Sequence, residues 1–390
     1  MKTAQFQSLF WEIFDEAKAS PIGQTMAKTV EASPWHREAN VWVHTEMCVN
    51  FYYQNVMPKV DRTAKQQFIT MLALLFHDFG KPEAEETLEK KDGTGTYRRY
   101  AGHEPKSANE MISFLCERPH IIEKLVKAGV GLIDIRKIKV MIEHHLPYGM
   151  TNKNKRAALK VMLEATFGDD IECFYDMLWS DCNGRISDDH ETKRQNVLDW
   201  IEGFKMERQM DFPKRRVVAE DAPILYVLVG ASGSGKSTWT SKVGPAAVVS
   251  LDAYRRMVFE SFAAEDKRAE FAAMSEKDKY NAVFKFAIEN EKDFDRYVDA
   301  MYKMALDLGK DIALDNTNTT RKSRAKWINM AKDVGYRIVA IEFYNAEKTL
   351  HARQSSRPDK AVPGHAVHRQ FMSTESTWLG VEVDSVSIQY

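Results

Sequence analysis

The chain has no hydrophobic run that approaches the roughly 18 residues of a membrane-spanning helix. It also has almost no net charge, −1 in formal terms. A membrane partner is therefore not expected, and any polyanion would have to be held by a local cluster of basic residues rather than by an overall basic surface. The first residues, MKTAQFQSLFWEIF, lack the pattern of a secretory signal peptide. We expect a cytoplasmic protein.

Cysteine is also scarce, with four residues in 390 and no CxxC pair. Paired spacings would indicate a disulfide framework or a zinc finger. Their absence favours reduced thiols in the interior of a cytosolic protein. The four are Cys48, Cys116, Cys173 and Cys182.

The length of 390 residues exceeds that of one typical core, and the two halves differ in pattern. Residues 1–207 carry apolar residues at three- and four-residue spacing, which predicts an all-helical domain. Within it, segment 88–100 predicts a hairpin or a mobile loop. Residues 208–223 contain two prolines and a basic run, which is typical of a linker. In 224–390, the runs ILYVLV, AAVVS, DIALD and YRIVAIEFY predict strands of a parallel α/β sheet.

The strand ILYVLV leads directly into GASGSGKST, which fits G-x-x-x-x-G-K-[ST]. Glycines at these positions let backbone N–H groups surround phosphates at a helix N-terminus, with the lysine on the β and γ oxygens and the serine hydroxyl on Mg²⁺. The alternative is a glycine loop that matches the motif by chance. The strand before the motif and the helix after it argue against this alternative. The predicted nucleotide-binding residues are Gly230, Ser232, Gly233, Ser234, Gly235, Lys236, Ser237 and Thr238.

Charged residues follow the later strands of this half. Asp252 follows the second strand, where a carboxylate could accept a proton from a hydroxyl acceptor, although a simple helix cap is the alternative. Asp315 follows the third strand and is a candidate partner of Mg²⁺ and its water. Arg353 and Arg357 are four residues apart, so on a helix they would share one face and could act on a transferring phosphoryl group. A solvent-exposed arginine face is the alternative.

Over about residues 224–375, the chain resembles the 5′-hydroxyl polynucleotide kinases of RNA repair. The resemblance rests on four motifs in this order: GxxGSGKSTW, D-x-Y-R, T-N, and R-x-x-x-R with KAVP. The resemblance implies ATP or another nucleoside triphosphate with Mg²⁺, Asp252 as general base, and the two arginines in a helical lid. It further implies that Arg255 holds a phosphate of the acceptor strand. The carboxylate that the family has before T-N falls on Asn316 here, with Asp315 one residue earlier. Asp315 and Asn316 are both candidates to bind the acceptor, and which of the two supports Arg255 is left open.

The first half contains histidines and aspartates beside apolar helical stretches, where unpaired imidazoles and carboxylates would be costly. Shared coordination of a divalent metal offsets that cost, and this donor set suits Mn, Fe, Ni, Co or Zn. For the pair His77-Asp78 alone, a helix cap is the alternative. In chain order the candidate metal ligands are His44, His77, Asp78, His103, His144, His145 and Asp181.

This series resembles the HD phosphohydrolase superfamily, an all-helical metal-dependent fold, over about residues 36–190. The resemblance implies a first metal held by His44, His77, Asp78 and Asp181. It assigns His103 and either His144 or His145 to a second metal or to phosphate. It also assigns Lys81 to phosphate. The number of metals, one or two, is left open.

Together the two resemblances predict an all-α HD-domain bundle followed by an α/β P-loop kinase domain that heals ends of RNA or DNA. One half would remove phosphate from a 2′,3′-cyclic, 2′- or 3′-phosphate end, and the other would phosphorylate a 5′-hydroxyl. A separate ligase would then be needed for sealing. Two alternatives remain open at this point: a nucleotidase joined to a small-metabolite kinase, and a kinase regulated by a nucleotide-sensing HD domain.

Overall fold

The structure is a computed structural model that describes residues 2–31, 36–90, 93–150, 152–187, 190–206, 216–360 and 362–390. The chain divides into two compact units, Met1–Arg215 (unit 1) and Arg216–Tyr390 (unit 2). The division falls inside the segment 208–223 that the sequence predicts as a linker, of which 208–215 lie outside the described residues. In the described part of the chain, no helix combines the length and the apolar character needed to cross a membrane.

Unit 1 is helical, as predicted, with one short antiparallel hairpin. The hairpin joins β1 and β2 across the segment predicted as a hairpin or loop, in which 91–92 lie outside the described residues. The elements are α1 (Lys2–Ala19), α2 (Pro21–Met26), α3 (Val41–Phe51), α4 (Ala64–Phe76), β1 (Glu86–Glu89), β2 (Thr96–Arg99), α5 (His103–Cys116), α6 (Pro119–Lys127), α7 (Leu132–Glu143), α8 (Lys153–Phe167), α9 (Ile171–Asn183) and α10 (His190–Met206).

Helix α4 is the centre of unit 1. It starts with a capping box in which Thr63 and Gln66 satisfy each other's backbone N–H groups. All residues from Phe68 to Phe76 are buried, so the helix is apolar on every side, and it packs against α1, α3, α5, α7 and α9. His77 and Asp78 directly follow its last turn and therefore lie in the interior of the unit, where both are almost fully buried.

Unit 2 is a parallel five-stranded sheet in the order β4-β5-β3-β6-β7, with helices packed around it. The four predicted strands are confirmed, whereas the fifth, β7, was not predicted. The elements are β3 (Ile224–Val229), α11 (Lys236–Val243), β4 (Ala247–Val249), α12 (Leu251–Phe262), α13 (Glu265–Ala273), α14 (Glu276–Glu289), α15 (Glu291–Asp307), β5 (Ile312–Leu314), α16 (Arg321–Asp333), β6 (Arg337–Phe343), α17 (Glu347–Ser355), α18 (Gly364–Met372) and β7 (Ser385–Gln389).

The sheet places the candidate residues of unit 2 at one edge. Strands β3, β4 and β5 are adjacent and parallel, so their carboxyl ends lie together. Asn318 joins two of these ends, because its side-chain amide donates to the carbonyls of Leu228 and Leu314 at 2.9 and 3.1 Å. Asn318 has a φ of 47°, a left-handed conformation that asparagine tolerates better than most residues.

Candidate functional site

The glycine-rich loop of unit 2 connects β3 to the N-terminus of α11. Gly233 and Gly235 have φ angles of 89° and 102°, which a side chain would strain. The loop is fixed from outside as well, since the backbone N–H of Ser232 donates to Oε1 of Gln370 at 2.9 Å. The result is a backbone turn that ends on a helix N-terminus, the arrangement that binds phosphates.

Lys236 lies inside this turn and is 8% exposed. Its ammonium group donates to the carbonyls of Gly230 and Ala231, both at 2.8 Å. Burial lowers the pKa of Lys236 to about 8, because the charged form loses its hydration. A nucleotide phosphate would favour the charged form again, as the motif requires.

Asp315 and Asn316 follow β5 and have different partners. The hydroxyl of Ser237 donates to Oδ2 of Asp315 at 2.9 Å, which brings together the two groups expected around Mg²⁺. Oδ1 of Asn316 accepts from the backbone N–H of Leu251 at 2.9 Å and so fixes the start of α12. Neither residue contacts Arg255 in the described hydrogen bonds and ion pairs.

Asp252 is in the first turn of α12 and is the partner of Arg255, in place of the Asp315 or Asn316 that the sequence suggested. One carboxylate oxygen accepts from Arg255 at 2.7 Å, and the other pairs with Lys360. Lys360 was missed in the sequence, because only the folded chain brings residue 360 beside residue 252. Asp252 is thus held between two cations, facing the phosphate-binding loop.

The two arginines of the predicted lid do not share a helical face, which corrects that expectation. Helix α17 ends at Ser355, so it includes Arg353 but not Arg357. The residue after Arg357 is Pro358, and the position before a proline disfavours helical backbone. Arg353 donates to the carbonyl of Gly233 at 3.1 Å, while Arg357 pairs with Asp359 at 2.8 Å.

These groups line one cavity of about 1050 Å³. Small-ligand pockets usually measure ~300–1,000 Å³, so this one can hold a nucleotide together with part of an acceptor. Its phosphate-binding loop, its candidate base and its arginines therefore face one space. The residues that carry the argument are Lys236, Ser237, Asp252, Arg353, Arg357 and Lys360.

Unit 1 contains a second constellation, built from buried histidines with oriented rings. In each of three, Nδ1 faces the carbonyl three residues earlier: Leu74 for His77, Tyr100 for His103 and Ile142 for His145, at 2.7, 2.8 and 2.7 Å. Because a carbonyl can only accept, Nδ1 carries a proton in each ring, so Nε2 is the nitrogen that can offer a lone pair to a metal. This is how ligating histidines are usually oriented.

The Nε2 atoms of these rings and of His44 lie close to carboxylates. Nε2 of His44 lies 3.3 Å from Nε2 of His77 and 3.2 Å from Oδ1 of Asp181. Asp78 lies between this group and a second one, because its Oδ2 is 3.2 Å from Nε2 of His77 and its Oδ1 is 3.1 Å from Nε2 of His103. Asp78 is thus placed to bridge two neighbouring cation positions.

The doublet His144-His145 is separated by the fold. Helix α7 ends at Glu143, and the chain then turns so that His145 is 1% exposed, with its Nε2 3.2 Å from Nε2 of His103. Burial, with His103 and His77 nearby, lowers the pKa of His145 to about 3, which keeps the ring neutral as a ligand must be. His144 belongs to none of the candidate ligand groups among the described residues.

Two cations accompany the carboxylates, Lys81, which is buried, and Arg185, which is only slightly exposed. Lys81 pairs with Asp78 at 2.8 Å and with Glu31 at 2.6 Å. Arg185 pairs with Asp181 at 2.9 Å. Burial opposes ionisation of Asp78, but the charges of His77 and Lys81 hold the pKa of its carboxyl well below its usual range. Each of these cations is thus paired with a carboxylate of the candidate ligand groups.

Two further residues of this site were missed in the sequence. Cys48 follows His44 by one helical turn, and its Sγ lies 3.5 Å from Nε2 of His44 within a group completed by His77 and Asp181. Their i, i+4 spacing on α3 was the signal available. Glu38 lies 3.6 Å from Nδ1 of His44 and accepts the N–H of Ile186, so it supports the ring from behind.

The residues fit one or two divalent cations. Two pairs of Nε2 atoms face each other at 3.3 and 3.2 Å, a distance at which two unprotonated nitrogens repel each other. In addition, Oδ2 of Asp181 is buried without a hydrogen-bond partner among the described residues. A cation shared by these lone pairs explains both observations, and imidazole with carboxylate is a donor set for Mn, Fe, Co, Ni or Zn.

Residues 225–377 match the protein family described as AAA domain. No curated protein matches the chain. The matched region spans β3, the phosphate-binding loop and the two arginines, and it lies entirely in unit 2. Fold and loop together define unit 2 as a P-loop kinase-type domain, an enzyme that uses a nucleotide and Mg²⁺. Unit 1 holds a His/Asp cluster that is able to bind metal.

Proposed function

We propose that the protein heals the ends of nucleic acids, with RNA as its substrate. Residues 224–390 would be a 5′-hydroxyl polynucleotide kinase and residues 1–207 an HD-type phosphohydrolase that acts on 2′,3′-cyclic, 2′- or 3′-phosphate ends. The two products, a 5′-phosphate and a 3′-hydroxyl, are the ends that a separate ligase joins. The ordered motifs of both resemblances support this reading.

One observation carries the kinase half: the carboxylate of Asp252 faces the same cavity as Lys236 and Ser237. Asp252 would accept the proton of the attacking hydroxyl while Lys236 neutralises the donor phosphates. Ser237 and Asp315 would hold Mg²⁺. Arg353 and Arg357 would stabilise charge on the phosphoryl group in transfer.

The charges around Asp252 suggest how its carboxylate becomes available to act as the general base. Both of its oxygens are engaged, by Arg255 and by Lys360. An entering phosphate competes for either cation, and loss of one ion pair frees an oxygen to accept the hydroxyl proton. Arg255 would then hold a phosphate of the acceptor strand.

In the phosphohydrolase half, the two groups joined by Asp78 would hold the divalent cations. His44, His77 and Asp181 form one side, and His103 and His145 the other. Bound cations supply hydroxide near neutral pH and neutralise a phosphate ester. Lys81 would exchange part of its pairing with Asp78 and Glu31 for the phosphate of the substrate.

The test is one RNA strand with a 5′-hydroxyl and a 2′,3′-cyclic phosphate, incubated with the protein, ATP, Mg²⁺ and a transition metal. We expect both ends to be converted, with each reaction followed by end-labelling. Hydrolysis of free mononucleotides but not of the RNA end would identify a nucleotidase instead. A metal-loaded unit 1 without any hydrolysis would favour a nucleotide-sensing regulator.

A further inference from the structure

The cavity of unit 2 continues past Asp252 onto an aromatic surface on α14. Tyr280 and Phe284, one helical turn apart, both line the cavity, and their rings are stacked with centroids 6.4 Å apart and planes inclined by 24°. Phe284 remains 41% exposed, although an apolar ring gains from burial. The pair therefore presents aromatic surface at the acceptor side of the site.

This surface is continuous with the charged groups around the candidate base. The guanidinium of Arg255 lies 4.9 Å from the ring centre of Phe284 and also pairs with Asp252. On the other side, the ammonium of Lys360 lies 5.4 Å from the ring centre of Tyr280 and pairs with the same carboxylate. Each ring thus contacts a cation that is itself paired with Asp252.

We propose that Tyr280 and Phe284 stack against the base of the acceptor's terminal nucleoside, so that its 5′-hydroxyl meets Asp252. The inference rests on the proposed kinase function and deepens it, because it names the side chains that would hold the terminal base of the acceptor. Aromatic rings beside cations match the flat base and anionic backbone of a single strand. Stacking does not distinguish one base from another, so acceptors with different terminal bases should be phosphorylated equally well.

The test compares two oligonucleotides with a 5′-hydroxyl, identical except that one has no base on its first sugar. For the wild-type protein, we expect the base-bearing acceptor to have a KM lower by roughly 5- to 150-fold, the range that base–aromatic stacking produces. Phe284→Leu keeps an apolar side chain but removes the ring. It should raise the KM of the base-bearing acceptor at least about five-fold and leave that of the abasic acceptor unchanged.

Ile288→Ala is the matched control, because Ile288 lies one turn further on α14, is 63% exposed and is outside the residues that line the cavity. Its KM values should equal those of wild type. Equal KM values of wild type for the two acceptors, or no effect of Phe284→Leu, would overturn the stacking role while the kinase function stands. If the wild-type protein phosphorylated neither strand, both the stacking role and the kinase function would be overturned.

Discussion

His103 and His145 face each other through their Nε2 atoms at 3.2 Å, and each directs Nδ1 to a backbone carbonyl. Two acceptor atoms at this distance repel each other unless a proton or a metal lies between them. The pair also lies against Oδ1 of Asp78, at 3.1 and 3.9 Å. This contact distinguishes His145 from the neighbouring His144.

His145→Ala should therefore reduce the metal content of unit 1, whereas His144→Ala should retain it. Loss of a ligand should weaken metal binding by at least the ~10–100-fold that loss of a supporting partner costs. Elemental analysis of both purified variants and of wild type decides this, with hydrolysis of a 2′,3′-cyclic phosphate as a second measurement. Loss of metal from His144→Ala, with metal retained in His145→Ala, would assign the ligand to His144.

Asp78→Ala should remove both bound metal and phosphohydrolysis, because Asp78 touches both groups of ligands. Asp169→Ala, which removes an exposed acid of the same unit, is the control and should change neither. Phosphorylation of a 5′-hydroxyl should persist in both variants, since every kinase motif lies in unit 2. Wild-type metal content in Asp78→Ala would show that the pair His77-Asp78 is a helix cap and holds no metal.

Much of this site and fold could be predicted from local patterns. The apolar runs and the glycine spacing are short-range signals, and they identified the sheet and the phosphate-binding loop. The fifth strand, SVSIQ, was missed because it alternates serine with apolar residues at the sheet edge and carries no buried run. Its place is determined by pairing with β6.

The unpredicted parts of the sites depend on contacts between distant residues. Lys360 pairs with a carboxylate 108 positions earlier, and Gln370 supports a loop 138 positions earlier. The doublet at 144–145 was ambiguous, because helical spacing no longer applies beyond Glu143, where α7 ends. Arg357 was placed on a helix by its spacing alone, although Pro358 opposes that conformation.

Asp252→Asn should lower the turnover of 5′-phosphorylation by about 10²–10⁴-fold, the usual contribution of a general base. Asparagine keeps the shape of the side chain but cannot take the proton. The control is Glu260→Gln on the same helix, an exposed acid paired with Arg256, and its turnover should equal that of wild type. Melting temperatures of both variants verify folding. High turnover in folded Asp252→Asn would contradict the assignment.

Arg353→Ala and Arg357→Ala should each reduce turnover by about 10²-fold or more, because both would act on charge that grows during transfer. Lysine at either position should restore little, since it lacks the forked donor geometry of arginine. Single-turnover rates at saturating ATP separate this effect from binding. Arg296→Ala, which changes an exposed arginine of α15, is the control. Unchanged rates in both alanine variants would show that these are two ordinary surface arginines with no part in the transfer.

The last prediction concerns the pH dependence of nucleotide binding. Burial lowers the pKa of Lys236 in the free protein to about 8, so the side chain is charged below that pH and largely neutral above it. Phosphate oxygens favour the charged form and raise the pKa in the complex. Affinity for a non-hydrolysable ATP analogue with Mg²⁺ should thus be constant below about pH 8 and fall by up to about ten-fold per pH unit above it.

The same linkage requires proton uptake when the nucleotide binds above pH 8, which titration calorimetry detects as a heat that varies with the ionisation enthalpy of the buffer. Lys236→Arg is the informative variant, because arginine stays charged throughout this range. It should bind more weakly overall, for lack of the lysine geometry, but with no fall in affinity between about pH 8 and pH 9.5 and no proton uptake by this residue. Wild-type affinity that is constant across that range would show that the buried ammonium of Lys236 is already fully charged before the phosphates arrive.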